Sequence, residues 1–373
     1  MDIIFYIAMF VIAFTILVFV HELGHFTVAR RNNVRVSVFS IGLGPEIFGW
    51  SDRNGTRWKI CWIPIGGYVR FFGDLDATSG RGADDSDLSD ADKAVSFHHK
   101  RLGQRAAVVA AGPLANLAFA VLLLAALFAT LGQPFRPAKV DAIAEGSVAD
   151  KAGFALGDVI REIDGTTIGR FEELQDIVRN SAGKELHFTV ERNGGTVLLT
   201  ASPAAVKEVN NFGGEHLVGR LGITGMSLEI LDRGPLQSVW YATVETGQLM
   251  KMMLGYIGQV VIGARPADEL GGPLMIAQLS GQAAQAGLAS FVNFIALLSI
   301  NLGLINLFPV PLLDGGHLLY YAFEAARGKP LGERAQEYGF RIGLAAVLTL
   351  MIFVTWQDLN RLPVGEFFSK LFS

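Results

Sequence analysis

Residues 3–25 read IIFYIAMFVIAFTILVFVHELGH, an apolar run of membrane length that closes on the pattern His-Glu-x-x-His. Residues four positions apart share one face of a helix, so His21 and His25 can direct two imidazoles at one point. This spacing is typical of a zinc site in which Glu22 serves as general base. Because ionisable side chains are costly within a membrane, the pattern favours a metal site over histidines that serve only in packing.

The composition indicates a membrane protein with a soluble part. The chain has 373 residues, 51% of them hydrophobic, and its mean hydropathy is +0.38, which predicts several spans. A net charge of −4 indicates no strongly charged partner, and we expect no nucleic acid. Cys61 is the only cysteine, which excludes an intrachain disulfide. No basic residue precedes the first apolar run, so we expect a retained span and not a cleaved signal peptide.

Four membrane-spanning helices are predicted, at residues 1–30, 106–131, 288–317 and 339–357. Arg30, Arg31 and Arg35 follow the first span. The positive-inside rule therefore predicts that His21 lies near the cytoplasmic side of the membrane. The apolar pattern at 236–264 is interrupted by polar residues, and it predicts an amphipathic helix at the outer surface, with a fifth span as the alternative.

The segments between the spans complete the predicted organisation. Residues 31–105 form a cytoplasmic, membrane-associated β-region with an acidic loop at 74–92, and the turn signal at 52–55 favours a hairpin or small sheet. This β-region is either a small soluble subdomain or a sheet edge beside the metal site that pairs with an extended substrate. The other segments are a linker with the amphipathic helix at 206–287, a cytoplasmic loop at 318–338 and a C-terminal tail at 358–373.

Residues 132–205 have the composition of a soluble α/β module. The predicted elements are a strand at 140–143, a short helix at 147–153, a strand at 157–165, an amphipathic helix at 171–180 and a hairpin at 185–200. This order resembles a PDZ domain of the circularly permuted bacterial kind. Such domains bind chain ends or strands by edge addition. Because the second span returns the chain to the outside, we expect the module to be extracytoplasmic.

The third span ends in a sequence that breaks the helix inside the membrane. Residues 301–317 read NLGLINLFPVPLLDGGH, and Pro309 and Pro311 stop the helix. Non-helical backbone at membrane depth is tolerated only where it is buried in protein or lines a cavity, so we expect the break to line the metal site. Asp314 follows the break and is the expected third zinc ligand; the alternative is a turn or helix N-cap residue.

These motifs, taken together, resemble the site-2 protease family of intramembrane zinc metalloproteases, and most closely its RseP-type members. HELGH lies in the first span, AGPLAN in the second, then one PDZ-like module, and the proline break in the third. The resemblance implies a polytopic α-helical membrane protein with about four spans, a membrane-associated β-hairpin or sheet and one PDZ domain. It implies Zn²⁺ held by His21, His25 and Asp314, with Glu22 as catalytic acid and base. It also implies substrate or transition-state support from Asn301 and Asn306.

The same resemblance implies regulated intramembrane proteolysis of single-span membrane proteins that another protease has already trimmed. Anti-sigma factors, leftover signal peptides and other regulators are all open as substrates, and the PDZ domain would screen them by binding a peptide or chain terminus. Some RseP-type members have two PDZ domains, whereas this sequence has room for one. Asn301 and Asn306 could equally serve helix packing.

Two other classes remain open from the sequence. A membrane-anchored PDZ scaffold with a structural metal site would have the same module, but Glu22 and all three ligands are present. A zinc transporter would also place histidine and aspartate in spans, but transporters tend to contain internal repeats, and the sequence has none.

Overall fold

The computed structural model of the protein describes residues 3–73, 89–209, 215–263 and 271–361. Most of the acidic loop predicted at 74–92 and most of the tail predicted at 358–373 lie outside these described residues. The chain divides into two compact units. The first comprises residues 1–125, 239–254 and 268–373, and the second comprises residues 126–238 and 255–267.

Most of the helices belong to the first unit, whereas the short helices at Val148–Lys151 and Phe171–Arg179 belong to the second. The helices of the described residues are α1 (Ile3–Arg31), α2 (Asp90–Val95), α3 (Leu102–Leu131), α4 (Val148–Lys151), α5 (Phe171–Arg179), α6 (Pro235–Val261), α7 (Pro273–Gln285), α8 (Leu288–Asn306), α9 (Asp314–Arg327) and α10 (Glu333–Arg361). Within the described residues, α1, α3, α8 and α10 are long and apolar enough to cross a membrane. The chain is therefore a polytopic α-helical membrane protein. Helix α6 is not among these candidates, and its position at the outer surface stays a prediction.

Helices α1, α3 and α8 pack together through small and apolar side chains. Ala13 and Leu17 of α1 are buried against Ile295 of α8, and Phe119 of α3 packs against the same cluster. A Cβ atom at Gly303 of α8 would lie 3.0 Å from the carbonyl oxygen of Pro113 on α3, so a larger residue there would push the helices apart. This close packing is typical of membrane helices, in which small residues let the backbones approach.

The β-region is larger than a simple hairpin. Strands β1 (Val36–Ser51) and β2 (Arg57–Phe71) pair with several register shifts. Residues 36–41 of β1 pair with 67–71 of β2, and residues 38–41 also pair with 57–60. Residues 46–51 pair with 57–61, so the two long strands form a small four-segment sheet in which 67–71 lies at one edge. Buried aromatic and branched residues join this sheet to α1 and α3, among them Val36, Phe39 and Val108.

The far end of the sheet lies beside the apolar part of α1. Thr15 donates a hydrogen bond from Oγ1 to the carbonyl oxygen of Pro64 at 3.1 Å. Thr15 lies in the middle of the apolar run, six residues before His21. Phe48 and Trp62 near this end are 60% and 69% exposed. Exposed aromatic side chains beside the apolar part of α1 suit a membrane-associated sheet, whereas the pairing of a sheet edge with an extended substrate stays a prediction.

Helix α7 lies within the predicted linker at 206–287, in a stretch for which the sequence predicted no helix. Its first turn is capped from another helix, because the buried carboxylate of Asp358 on α10 accepts the backbone N–H groups of Gly272, Leu274 and Met275 at 3.0 Å. Helix α7 packs against α1, and a Cβ atom at Gly281 would fall 1.6 Å from the ring of Tyr6. Its location thus depends on α1 and α10, which are distant in sequence.

The second unit is an α/β module built around an apolar core. Its strands are β3 (Gln133–Phe135), β4 (Ala142–Ile143), β5 (Val159–Ile163), β6 (Thr166–Thr167), β7 (Leu186–Arg192), β8 (Gly195–Ala201), β9 (Ala204–Val209), β10 (Glu215–Arg220), β11 (Ile223–Thr224) and β12 (Glu229–Leu231). The sheet order is β6-β5-β7-β8. The short helix, the strand at 159–163, the helix at 171–179 and the hairpin are all present close to their predicted positions. The hairpin turns at Asn193 and Gly194, whose φ angles of 51° and 78° suit a tight two-residue turn.

This compact unit extends beyond residue 205, the predicted end of the PDZ domain. Leu221 belongs to its apolar core, and β11 pairs with β4. An internal ion pair also stabilises it: Arg192 donates from Nε to Asp158 Oδ1 at 2.7 Å, and Asp158 is fully buried. Burial alone would raise the pKa of Asp158, but the hydrogen bonds from Arg192 and from the Ala155 N–H hold that pKa below its ordinary value.

Candidate metal centre

Three side chains from two distant segments converge in the first unit. His21 and His25 lie one turn apart on α1, and their Nε2 atoms are 3.1 Å apart. Asp314 is the first residue of α9, and its Oδ2 lies 3.1 Å from His21 Nε2 and 3.5 Å from His25 Nε2. Their candidate ligand atoms all lie within 4.8 Å of one another, a group that could hold a metal ion.

The donor set and its spacing fit zinc. Tetrahedral zinc with bonds of about 2.0–2.1 Å separates its ligand atoms by about 3.3 Å, which is close to the observed separations. The Oδ2 atom of Asp314 is buried and has no hydrogen-bond partner among the described residues. A buried carboxylate oxygen without a donor is costly, whereas a bound cation would satisfy it.

The ring of His25 is fixed by the backbone of α3. Its Nδ1 lies 2.9 Å from the carbonyl oxygen of Val108, and a carbonyl can only accept a hydrogen bond. The proton of the neutral imidazole therefore resides on Nδ1, which leaves the lone pair of Nε2 free for a metal. The sequence does not indicate the role of Val108, because a backbone acceptor has no signature in residue type.

Two glycines let α1 and α3 approach each other at the histidines. A Cβ atom at Gly112 would lie 2.3 Å from His25 Nε2 and 2.8 Å from His21 Cε1. A Cβ atom at Gly24 would lie 2.3 Å from the carbonyl oxygen of Ala111. The small residues of the AGPLAN motif at 111–116 thus allow a close helix contact directly at the histidines.

The break after α8 brings Asp314 back to the centre. Residues 307–313 lie outside both helices, as the two prolines predicted. Leu313 is the N-cap of α9, so Asp314 is not the capping residue. A Cβ atom at Gly315 would lie 2.3 Å from the Leu307 carbonyl oxygen, so glycine is needed for the first turn of α9 to fold onto the break. Further along α9, Glu324 forms an ion pair with Arg105 of α3.

Glu22 lies between the metal centre and the edge of the sheet. Its carboxylate interacts electrostatically with His25, His21 and Asp314, and with the backbone of Val69 by a hydrogen bond. A Cβ atom at Gly67 would lie 3.4 Å from Glu22 Cγ. The edge segment 67–71 therefore runs alongside the group predicted to act as general base.

Asn301 and Asn306 are both half-buried on α8, Asn306 being its last residue. Within the described part of the chain, neither forms a hydrogen bond to His21, His25 or Asp314. Their predicted support of substrate or transition state stays a prediction.

A helix-borne pair of histidines with a glutamate between them, completed by a distant aspartate among membrane-length helices, defines a zinc metalloprotease within a membrane protein. The chain belongs to peptidase family M50, whose model matches residues 9–350. This confirms the family resemblance and the dependence on zinc.

Similar proteins bear names that agree with this class. The R01501 protein of Rhizobium meliloti (strain 1021), named as a zinc metalloprotease, is 42% identical over 94% of this chain and 95% of its own. Metalloprotease MmpA of Caulobacter vibrioides is 38% identical over 96% of each chain. Among solved structures, the PDZ domain of the SdrC-like protein Lmo2051 from Listeria monocytogenes covers 25% of this chain and 90% of its own, with 18% identity and a TM-score of 0.20.

Proposed function

We propose that this chain is an intramembrane protease that cleaves spanning segments of single-span membrane proteins in regulated intramembrane proteolysis. The observation that carries the proposal is the convergence of His21, His25 and Asp314 beside helices of membrane length, with ligand atoms within 4.8 Å. We assign these three residues as the zinc ligands. A bound zinc ion supplies a Lewis acid that polarises the scissile carbonyl group and acidifies water.

The proposed role of Glu22 is that of general base and then general acid. Its carboxylate would accept a proton from the water that attacks the peptide carbonyl, and would then donate that proton to the leaving nitrogen. Its interaction with the backbone of Val69 supports this role, because the hydrogen bond orients the carboxylate beside the imidazoles.

The sheet edge at 67–71 is the proposed docking strand for the substrate. A peptide bond in an intact helix is shielded by the helix's own hydrogen bonds, so the substrate segment must unwind before it is cut. An extended segment that adds to the sheet edge regains those backbone hydrogen bonds. Residues 67–70 pair on one side with 38–41, and within the described residues no strand pairs with their other side.

The proposed location is a bacterial inner membrane, with the metal centre near the cytoplasmic side and the PDZ module outside. Arg30 and Arg31 in the last turn of α1 support this orientation through the positive-inside rule. The module would then select substrates before they reach the metal centre, by binding a peptide or chain terminus exposed by an earlier cleavage.

Substitution of Glu22 by glutamine tests the proposal. Glu22→Gln keeps the shape of the side chain and removes the base, so we expect loss of cleavage of a single-span reporter in proteoliposomes while zinc content is unchanged. His21→Ala should lose both zinc and cleavage. The matched control is Glu337→Gln, which alters an exposed carboxylate on α10 that pairs with Arg341. Undiminished cleavage by Glu22→Gln would refute the proposal.

The same variant identifies substrates. Because Glu22→Gln should bind a substrate without cutting it, we expect membrane proteins to be enriched with it over the unaltered chain after crosslinking and mass spectrometry. Enrichment of single-span proteins shortened on their extracytoplasmic side would support prior trimming, whereas enrichment of intact proteins alone would contradict it.

A further inference from the structure

We propose that Asn116 is a positioning residue, which holds His21 in its metal-binding orientation by accepting a hydrogen bond from the Nδ1–H group of the imidazole. The inference rests on the proposed metal centre and adds to it the residue that fixes the first histidine.

One stripe of α3 contacts both histidines. Val108, Gly112 and Asn116 are spaced at four-residue intervals and therefore lie on one face of the helix. The carbonyl of Val108 faces His25 Nδ1, and Gly112 provides the room that both imidazoles occupy. Asn116 completes the stripe: its side chain is fully buried, and its Nδ2 lies 3.4 Å from His21 Nδ1.

The chemistry of a histidine ligand decides which end of the amide must face the ring. His21 Nε2 points at Asp314 Oδ2 and His25 Nε2, each 3.1 Å away, so Nε2 is the ligand atom. A neutral imidazole that offers Nε2 to a metal carries its proton on Nδ1, which must donate to an acceptor.

Asn116 has an acceptor for the Nδ1–H group of His21. The Oδ1 atom of Asn116 is buried, and no residue of the described ranges forms a hydrogen bond to it. The oxygen and nitrogen of an amide have nearly the same shape, so a half-turn of the side chain brings Oδ1 to the place of Nδ2 beside His21. His21 and His25 would then be held alike, each with Nδ1 donating to an oxygen of α3.

The position of Asn116 is itself secured from a third helix. Its backbone carbonyl oxygen accepts a hydrogen bond from Ser299 Oγ of α8 at 2.8 Å, and Ser299 is fully buried. The amide therefore projects from a fixed turn of α3, which is what a group that orients a metal ligand requires.

Metal titration of the full chain tests this role. The purified protein in detergent is stripped with a chelator and titrated with Co²⁺, whose visible absorption reports the ligand set, and with Zn²⁺ against a chromogenic chelator. Asn116→Leu removes the acceptor, and we expect zinc affinity to fall about 10- to 100-fold. Asn116→Asp keeps an oxygen at the same place and should retain the affinity of the unaltered chain. Asn293→Leu, at an exposed position on α8, is the matched control.

The zinc titrations test the role of Asn116 separately from the existence of the metal centre. Unaltered zinc affinity in Asn116→Leu would overturn the inference, as would an Asn116→Asp protein that is folded and binds as weakly as Asn116→Leu. If Asn116→Leu is not recovered folded, Asn116→Ala provides the same comparison with Asn116→Asp. If His21→Ala also binds zinc like the unaltered chain, the proposed metal centre itself is wrong.

Discussion

At the scale of single residues, Gly112 decides whether the two histidines have room to meet a metal. A methyl group there would fall within 2.3 Å of His25 Nε2, which is the atom assigned as ligand. Side chains essentially never approach so closely, so the imidazole or the helix would have to move. Gly112 does not have a positive φ angle, so the requirement for glycine comes from the space that the two imidazoles occupy and not from the backbone conformation.

We expect Gly112→Ala to bind zinc at least about 10-fold more weakly, because the added methyl group displaces a metal ligand. Equilibrium dialysis of the purified chain would measure the loss. Gly103→Ala is the control on the same helix, since a Cβ atom there meets nothing within 4 Å. Equal zinc affinity in both variants would mean that α3 does not approach the histidines as described.

At the scale of elements, the placement of α9 matters most, because α9 carries Asp314 and is separated from α1 by most of the chain. Arg105 of α3 and Glu324 of α9 form an ion pair in which each side chain is about one-sixth exposed, 15% and 16%. The guanidinium group of Arg105 also lies over the ring of Tyr321 at 4.9 Å. These contacts join α9 to the helix whose backbone fixes His25.

Removing one partner of the Arg105–Glu324 ion pair should destabilise the protein. We expect Arg105→Met to lower the free energy of unfolding by about 3 kcal/mol, because it leaves a buried carboxylate unpaired, and the double variant Arg105→Met with Glu324→Gln to recover part of that loss. Thermal unfolding in detergent measures both. Arg161→Met tests the exposed pair with Glu191, which should change stability by less than about 1 kcal/mol. A double variant no more stable than Arg105→Met would show that the pair does not act as a unit.

At the scale of the whole molecule, the proposed orientation places the second unit, which forms the proposed PDZ module, and the α9–α10 connection on opposite sides of the membrane. Thr196 is exposed on β8 of the second unit, and Lys329 is exposed between α9 and α10. The native Cys61 is buried, so it is poorly placed to react with a labelling reagent from either side.

In a Cys61→Ala background, we expect Thr196→Cys to react with a membrane-impermeant maleimide in intact spheroplasts, and Lys329→Cys to react only after lysis. The reason is the excess of basic residues at the cytoplasmic ends of the spans. Retained cleavage by each variant shows that the label reports the active form. Labelling of Lys329→Cys from outside would invert the proposed orientation.

Local sequence patterns predicted much of the fold. The membrane-length apolar runs predicted the spans, the two prolines predicted the break at 307–313, and the turn at Asn193 and Gly194 predicted the hairpin of the second unit. Each of these signals lies within a few residues of the structure it specifies, because helix periodicity, proline geometry and turn conformation are properties of adjacent residues.

The sequence by itself determined that His21 and His25 meet, since two histidines one turn apart on an apolar helix share a face whatever surrounds them. Only the tertiary structure decided what completes the centre: the carbonyl of Val108, the room at Gly112 and the approach of Asp314 on α9. It also decided that α7 is capped by Asp358. These contacts join segments far apart in the chain, and backbone atoms or empty space supply several of them, so no local pattern of residue types encodes them.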